Sequence, residues 1–353
     1  MPRRGRLHIP GACYHVIGRG LARRYIFEDS EDKRDFLARF GNNLSLTGSQ
    51  CLAWAIMSNH YHLLVRAGAQ PLAKLMAPVL GGFAGNYNRR HRRSGYVFQN
   101  RFTSILCDEE NYLLELVRYI HLNPMRARLI DNLSELCEYP WTGHAGILGK
   151  HRQKWHSIEE VLAHFGKTWC SARMSYIDFM KVGLTATSGT GLSGGGLVRS
   201  YGGWESIRRL RQEHIFCIGD ERILGNSSFV EQVLQEDELA VESRSRLTLQ
   251  GWDLDRLLAV VCERCEVAQS ELRLRSRENS ASRAKAMICY LGTEKLGIRS
   301  KEVAEKLAIS RPAVSKWIAK GRKIGQEDDW IDIFDQVTKL LVPLLLERQN
   351  KVE

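Results

Sequence analysis

The spacing of hydrophobic and polar residues changes repeatedly along the first 145 positions, between a period of two and a period of about 3.6. The shorter period is typical of strands and the longer of helices. The order strand, helix, strand, strand, helix, strand, helix is that of a ferredoxin-like split βαβ sheet with one added helix, an α+β fold. In chain order the pattern predicts a strand over 14–18, a helix over 30–46, strands over 51–57 and 60–66, a helix over 71–88, an extended segment over 95–106 and a helix over 112–122.

Local signals delimit these elements. Asp108 is a typical amino-terminal cap of the last helix, and Asn123-Pro124 predicts its end because proline lacks an N–H and crowds the preceding turn. Ser58-Asn59 is a tight-turn signal, so the second and third strands are predicted to form a hairpin.

The rest of the chain is predicted to be helical after a glycine-rich connection. Eight of the 21 residues over 183–203 are glycine, which predicts a flexible linker. These patterns predict a first domain over 1–148, a connecting region over 149–250 and a helical domain over 251–345. Within the last region, helices are predicted over 254–265, 282–296, 300–308 and 311–320.

The last two predicted helices have the spacing of a helix-turn-helix. Ala304 is small where the helices would meet, Ile309 lies in the turn, and Val314 and Ile318 supply apolar contacts. Ser310 is placed to cap the second helix. An ordinary charged helical bundle is the alternative interpretation. The residues predicted to face DNA are Arg311, Ser315, Lys316 and Lys320.

Net charge is informative when it is counted region by region along the chain. The chain of 353 residues has a formal net charge of +11, of which residues 1–150 carry +8 and residues 256–323 carry +9. Between 51 and 100 there are six basic residues and no acidic one. Two separate basic regions favour a polyanionic partner such as nucleic acid, with an ordinary solvated basic surface as the alternative.

Composition excludes several classes of protein. A hydrophobic fraction of 44% is too high for a disordered chain, and no apolar run approaches the ~18 residues of a membrane span. Nine cysteines, an odd number, argue for a reducing compartment. We therefore expect a cytoplasmic, nucleoid-associated protein with no membrane partner.

Two segments imitate nucleotide-binding motifs. Gly189 to Gly194 fits G-x-G-x-x-G, but a poor strand precedes it and no helical pattern follows it. Gly166-Lys167-Thr168 lacks the first glycine of a phosphate-binding loop, because Val161 stands there. No nucleotide cofactor is expected.

Two histidines and a tyrosine–asparagine pair are the candidate chemistry. His60 and His62 are two residues apart in a predicted strand, which sends both imidazoles to one face, as two ligands of one metal ion require. Tyr119 and Asn123 are four residues apart on a predicted helix and share a face. Each pair alone is common by chance, and a strand histidine is more often a packed or surface residue. Their conjunction in a basic domain is what indicates a site.

Several stretches resemble the REP-associated tyrosine transposases, which belong to the single-tyrosine transposases of the HUH nuclease superfamily. The likeness covers residues 8–145. The stretches are Met57 to Val65 (MSNHYHLLV), Gly95 to Ser104 (GYVFQNRFTS), Tyr112 to Ala127 (YLLELVRYIHLNPMRA) and the closing Tyr139-Pro-Trp141.

The resemblance implies a ferredoxin-like catalytic domain that cuts and rejoins single-stranded DNA, with imperfect palindromic hairpins as targets, using a tyrosine and a divalent metal. By matching position, His60 and His62 are the histidine pair, Tyr119 is the nucleophile, and Asn123 is the polar ligand, where some relatives have glutamine. Residues 277–323 also resemble the DNA-binding carboxy-terminal domain of the bacterial replication initiator DnaA. That domain's Gly-Gly-Arg-Asp-His turn is replaced here, so its base contacts do not carry over.

The donor types suggest the metal and the reaction. Two imidazoles and one amide oxygen leave octahedral positions open, which favours Mg²⁺ or Mn²⁺ over a closed zinc site. Attack by Tyr119 would leave a 5′-phosphotyrosyl enzyme and a free 3′ hydroxyl without ATP, and no general base is identified. Residues expected to hold an unpaired or hairpin strand are Arg89, Arg90, Arg92, Arg93 and Arg101, with Tyr87, Tyr96 and Phe98. For any one of them, an ordinary solvated position at a helix end or on a strand is the alternative interpretation.

The leading hypothesis is therefore a metal-dependent single-stranded DNA endonuclease and strand transferase, with duplex DNA as a further partner of the carboxy-terminal domain. The alternative is a non-catalytic DNA-binding transcription regulator, for which both basic regions would suffice. An RNA-binding protein on the same sheet is less favoured, because the aromatic residues do not follow the expected pattern on a central strand. The sequence assigns no oligomeric state.

Overall fold

The computed structural model describes residues 6–68, 70–185, 218–273 and 280–327, together with Trp330 and Phe334. The chain divides into two compact units, Met1–Leu234 and Gln235–Glu353. The predicted boundaries near 148 and 250 differ from this division and stay predictions.

A five-stranded sheet is the centre of the first unit. Its order is β2-β3-β1-β4-β5, with antiparallel pairing among the first four strands and a parallel pair between β4 and β5. The first four strands have the ferredoxin-like order that the sequence predicts. The strands are β1 (Cys13–Arg19), β2 (Gln50–Ile56), β3 (His60–Arg66), β4 (Thr103–Cys107) and β5 (Ile223–Leu224).

Helices cover both faces of this sheet. On one face α1 (Ser30–Thr47) and α2 (Leu72–Arg90) bury a core rich in aromatic side chains. On the other face α3 (Glu109–Arg126) packs on β2 and β3. Three short helices and one long helix follow on that side: α4 (Leu133–Glu138), α5 (Gly143–Ile147), α6 (Ile158–Ala163) and the longer α7 (Trp169–Thr185).

Caps explain where the main helices begin. The Asp29 side chain accepts hydrogen bonds from the backbone N–H groups of Glu31 and Asp32 and starts α1. Asp108 accepts a hydrogen bond from the N–H of Asn111 and starts α3, as predicted.

Two local predictions were wrong. α3 does not stop at Asn123-Pro124 but runs through Pro124 to Arg126. Near a helix end, proline removes a single backbone hydrogen bond, so the last turn persists. The extended segment over 95–106 is a strand only over Thr103–Cys107; of the residues before it, Phe98 forms one isolated bridge, to Gly20.

The described part of the second unit is helical, as predicted. α8 (Ser227–Leu249) spans the boundary between the units and is followed by α9 (Leu254–Arg264) and α10 (Ser280–Tyr290). A four-residue turn joins α11 (Ser300–Lys306) to α12 (Arg311–Glu327). Ala304, Val314 and Ile318 are buried there and Ile309 packs on the same core, as their spacing predicts.

Among the described residues, no helix combines the length and apolar character needed to cross a membrane. Most of the predicted glycine-rich linker, residues 186–203, lies outside the described part of the chain.

Candidate active site

The predicted histidine pair lies on the face of the sheet that α3 covers. β1 and β3 are neighbours in the register Arg19 opposite His60 and Ile17 opposite His62. Because side chains alternate along a strand, His15 and Ile17 of β1 face the same side as His60 and His62 of β3. Residues on different strands therefore meet under α3.

The phenol of Tyr119 faces these imidazoles. Its ring centroid lies 5.8 Å from that of His62 and 5.9 Å from that of His15, edge to face in both cases. The His60 and His62 rings are 5.1 Å apart. Tyr119 and the two predicted histidines thus converge although 57 positions separate His62 from Tyr119.

In both predicted ligand rings, His60 and His62, the nitrogen that is hydrogen-bonded is Nδ1. His60 Nδ1 lies 2.6 Å from Asn59 Oδ1, which can only accept, so His60 Nδ1 is the donor. His62 Nδ1 lies 2.8 Å from His15 Nε2. In each case the partner engages Nδ1, which leaves Nε2 as the atom for a metal, an arrangement typical of metal-binding histidines.

Burial keeps these rings neutral. It lowers the pKa of His60 to about 4, and the charge of Arg19 adds to the shift. Burial also lowers the pKa of His62 well below its ordinary value, and the neighbouring His15 and His60 contribute. Because a metal binds the neutral imidazole, both rings are in the competent form at pH 7.

Asn123 lies one turn after Tyr119 and is buried. Its Nδ2 donates a hydrogen bond of 2.9 Å to the backbone carbonyl of Tyr119, so its Oδ1 remains the atom available to a metal. The guanidinium carbon of Arg126 lies 5.0 Å from the centre of the Tyr119 ring, within the range of a cation–π contact. The helix α3 thus carries, next to the phenol of Tyr119, the cation of Arg126 and the amide oxygen of Asn123.

Sequence reasoning missed His15 and Arg126. His15 is a single histidine in a strand, and only the pairing of β1 with β3 brings it to His62. Arg126 stands beyond the predicted helix end, so its position over the Tyr119 ring was not expected. The alternation of side chains along the strand does indicate on which face of the sheet His15 lies, and this is the one signal in the sequence for its place in the site.

The five arginines predicted to bind a strand fall into three groups. Arg89, Arg92 and Arg101 are exposed. The guanidinium of Arg93 lies 5.3 Å over the Tyr87 ring. Arg90 is paired with Asp29 at 2.7 Å, with Glu31 at 3.1 Å and with Asp32. Its charge is therefore already compensated within the protein.

The carboxylates around Arg90 form a possible cation site of another kind. Asp29, Asp32 and His91 each offer a ligand atom, and these atoms lie within 4.8 Å of one another. Arg90 supplies a positive charge there, and its hydrogen bond lowers the pKa of Asp29 to about 2. Asp29 also caps α1, so the cluster has a structural role in joining α1 to α2.

The residues predicted to face DNA from the second unit lie on α12. Lys316 is exposed and Ser315 is partly buried. Lys320 Nζ lies 3.2 Å from Ser282 Oγ and 5.8 Å from the centre of the Trp317 ring. The side chain of Arg311 lies outside the described part of the chain.

Residues 9–123 match the family described as "Transposase IS200 like". The match includes His15, His60, His62 and Tyr119 and ends at Asn123. The resemblance to the single-tyrosine transposases is thereby confirmed for this segment, whereas the likeness of the tail to the replication initiator stays a prediction.

One solved structure similar to this chain is described as "Structure of the REP associates tyrosine transposase bound to a REP hairpin". The two chains are 14% identical with a TM-score of 0.37, and the match covers 45% of this chain and 90% of the other. No curated protein sequence matches the chain.

Proposed function

We propose that this protein is a metal-dependent single-stranded DNA endonuclease and strand transferase, a transposase whose nucleophile is Tyr119. The observation that carries the proposal is the approach of the Tyr119 ring to within 5.8 Å of His62, centre to centre, in a segment that matches the IS200-like transposases. The proposed metal ligands are His60, His62 and Asn123.

The donor set fits a divalent ion such as Mg²⁺ or Mn²⁺. Two neutral imidazoles with Nδ1 already engaged and one amide oxygen with its nitrogen engaged offer three ligand atoms of suitable type. When bound, the ion would stabilise negative charge on the phosphoryl and leaving oxygens. We further propose that His15 is a positioning residue, which holds the His62 ring with Nε2 towards the ion.

The chemistry assigned to Tyr119 is a transesterification. The phenol oxygen forms a bond to phosphorus while the bond from phosphorus to the 3′ oxygen breaks. The phenol loses its proton, and the leaving 3′ oxygen gains a proton and becomes a hydroxyl. The product is a 5′-phosphotyrosyl link, which a 3′ hydroxyl can reverse, so joining needs no nucleotide cofactor.

The substrate class follows from access to the phosphate. A phenol on a helix must reach a phosphate in an unpaired or kinked strand, which favours single-stranded DNA and hairpins. The exposed cations Arg89, Arg92 and Arg101 suit such a polyanion. For α12 in the second unit we propose duplex DNA, contacted by Arg311, Ser315, Lys316 and Lys320.

A denaturing gel tests this function. The full chain is incubated with Mn²⁺ and end-labelled hairpin oligonucleotides that carry single-stranded flanks. We expect a labelled protein adduct that disappears with EDTA and with Tyr119→Phe but persists with Tyr112→Phe, a matched change on α3. If no hairpin or flank gives a Tyr119-dependent adduct while the protein still binds DNA, the enzymatic proposal is wrong and the regulator interpretation takes its place.

A further inference from the structure

The turn between β1 and α1 is attached directly to the proposed metal site. This turn, residues 20–25, follows Arg19 and is called the β1–α1 turn. The Gly20 N–H donates to the Asn59 carbonyl at 2.8 Å, and Asn59 Nδ2 donates to the Arg23 carbonyl at 3.0 Å. Asn59 Oδ1 in turn accepts the hydrogen bond from His60. One asparagine thus connects the turn to a proposed metal ligand.

The backbone of the turn is held in an uncommon shape. Ala22 has φ 52° and Arg23 has φ 60°, the left-handed region that costs an L residue about 1–2 kcal/mol. A Cβ on Gly20 would lie 2.2 Å from the Arg24 carbonyl oxygen, so only glycine fits where the turn closes. The surrounding hydrogen bonds must therefore maintain a conformation that the chain alone disfavours.

That conformation presents cations and an aromatic ring to solvent. Residues 21–25 are all exposed, and the Tyr25 side chain is 63% accessible. Arg19, Arg23 and Arg24 are exposed, and none of them has an ion pair with a carboxylate in the part of the chain that the structure describes. Arg90, by contrast, is neutralised by three carboxylates.

The positive charge of this surface reaches the site. Arg19, which precedes the β1–α1 turn, stands directly opposite His60 in the register of β1 and β3, so the two side chains share one face of the sheet. A strand bound beside His60 would carry negative phosphates into the same field. Unpaired cations next to a phosphate-processing site are complementary to a nucleic-acid backbone.

We propose that the β1–α1 turn binds single-stranded DNA adjacent to the phosphate at Tyr119, with Arg23 and Arg24 contacting phosphates and Tyr25 stacking on a base. A single strand is favoured over a duplex because an exposed aromatic ring can stack only on an unpaired base. The inference rests on the proposed function and adds the surface that receives the strand.

Binding of a fluorescein-labelled oligothymidylate to the full chain tests the proposal. Excess unlabelled duplex occupies the second unit, and anisotropy is measured over a range of salt concentrations. The main variant is Arg23→Asn with Arg24→Gln, since asparagine tolerates the left-handed conformation of position 23. Arg34→Gln is the matched control: Arg34 is exposed on α1, on the other face of the sheet.

We expect the double variant to bind about 25-fold more weakly at 0.1 M salt. The slope of the logarithm of affinity against the logarithm of salt concentration should become shallower by about 1.4, since each phosphate contact on a single strand contributes about 0.7. Tyr25→Ala should weaken binding by about 5-fold or more, and Tyr25→Phe should retain it. Arg34→Gln should leave both quantities unchanged. Equal melting temperatures establish that the variants are folded.

The two proposals fail in distinguishable ways. If the wild-type chain binds oligothymidylate but the double variant matches Arg34→Gln in affinity and salt slope, the role of the β1–α1 turn is wrong and the proposed function stands. If the wild-type chain binds no single strand, the proposed function fails together with the turn's role.

Discussion

His15 Nε2 and His62 Nδ1 lie 2.8 Å apart, with their rings stacked at a centroid distance of 5.1 Å. Both rings are buried between the sheet and α3, His15 being 4% and His62 5% exposed. A buried ring that is hydrogen-bonded on one nitrogen cannot rotate without losing that bond. The contact therefore fixes which nitrogen of His62 is presented to the proposed metal.

Removing this contact should weaken metal binding. His15→Phe keeps a ring of similar size but provides no hydrogen-bond partner, so we expect a 10- to 100-fold loss in Mn²⁺ affinity. Titration of Mn²⁺ by electron paramagnetic resonance measures it without turnover. His15→Gln, which restores a polar partner, should recover most of the affinity. Unchanged affinity in a folded His15→Phe protein would show that His15 does not position His62.

The cation over the Tyr119 ring should contribute to cleavage and not to metal binding. A cation–π contact at a site of this kind contributes about 0.5–1 kcal/mol, so Arg126→Gln should slow cleavage by about 2- to 5-fold. Arg126→Lys should retain most of the rate. The measurement is single-turnover cleavage of a hairpin, with Mn²⁺ affinity as the control; a fall in metal affinity of similar size would assign Arg126 a different role.

The left-handed conformation of the β1–α1 turn should be visible in stability. Ala22→Gly removes a side chain that disfavours φ 52°, and we expect an increase of about 0.5–1 kcal/mol in the free energy of unfolding. Ala38→Gly, at an exposed position in α1, should instead lower the free energy of unfolding by a similar amount. Urea denaturation measures both. A destabilised Ala22→Gly protein would contradict the backbone description.

Acid should destabilise the fold through a group of buried histidines under α3. Burial lowers the pKa of both His144 and His156 to about 4. The unfolded chain binds protons near pH 6.5 and the folded chain does not, so this stability is complete above pH 6.5 and is lost as the pH falls towards 4.

The size of that effect can be isolated with one substitution. Between pH 7 and 4.5 His156 should account for about 2 kcal/mol of lost unfolding free energy. His156→Gln should reduce the difference between the two pH values by that amount. An equal pH dependence in the variant and the wild-type chain would mean that His156 is not held neutral by burial.

The proposed site could be predicted where its residues are close in sequence. His60 and His62 share a strand face, and Tyr119 and Asn123 share a helix face, because the two periods fix those relations locally. His15 could not be added in this way, since its contact with His62 depends on the register between β1 and β3.

The same reason explains why the ion pairs of Arg90 on α2 could not be predicted. In the sequence Arg90 is one of four nearby arginines, and the carboxylates that neutralise it, Asp29 and Asp32, lie about 60 positions earlier and meet it only in the fold. The ferredoxin-like sheet itself could be predicted because its element order follows from local periodicity. The fifth strand could not, since Ile223–Leu224 is too short to have a period and pairs with β4 from far along the chain.

The most direct test of the central claim is the chemical identity of the residue that becomes linked to DNA. After reaction of the full chain with Mn²⁺ and hairpin oligonucleotides, nuclease and trypsin digestion releases the peptide from Tyr119 to Arg126, since Arg118 precedes it. Mass spectrometry should find this peptide carrying a nucleotide through phosphate on Tyr119. A nucleotide on any other residue, or a cleaved strand with no linked peptide, would contradict the account.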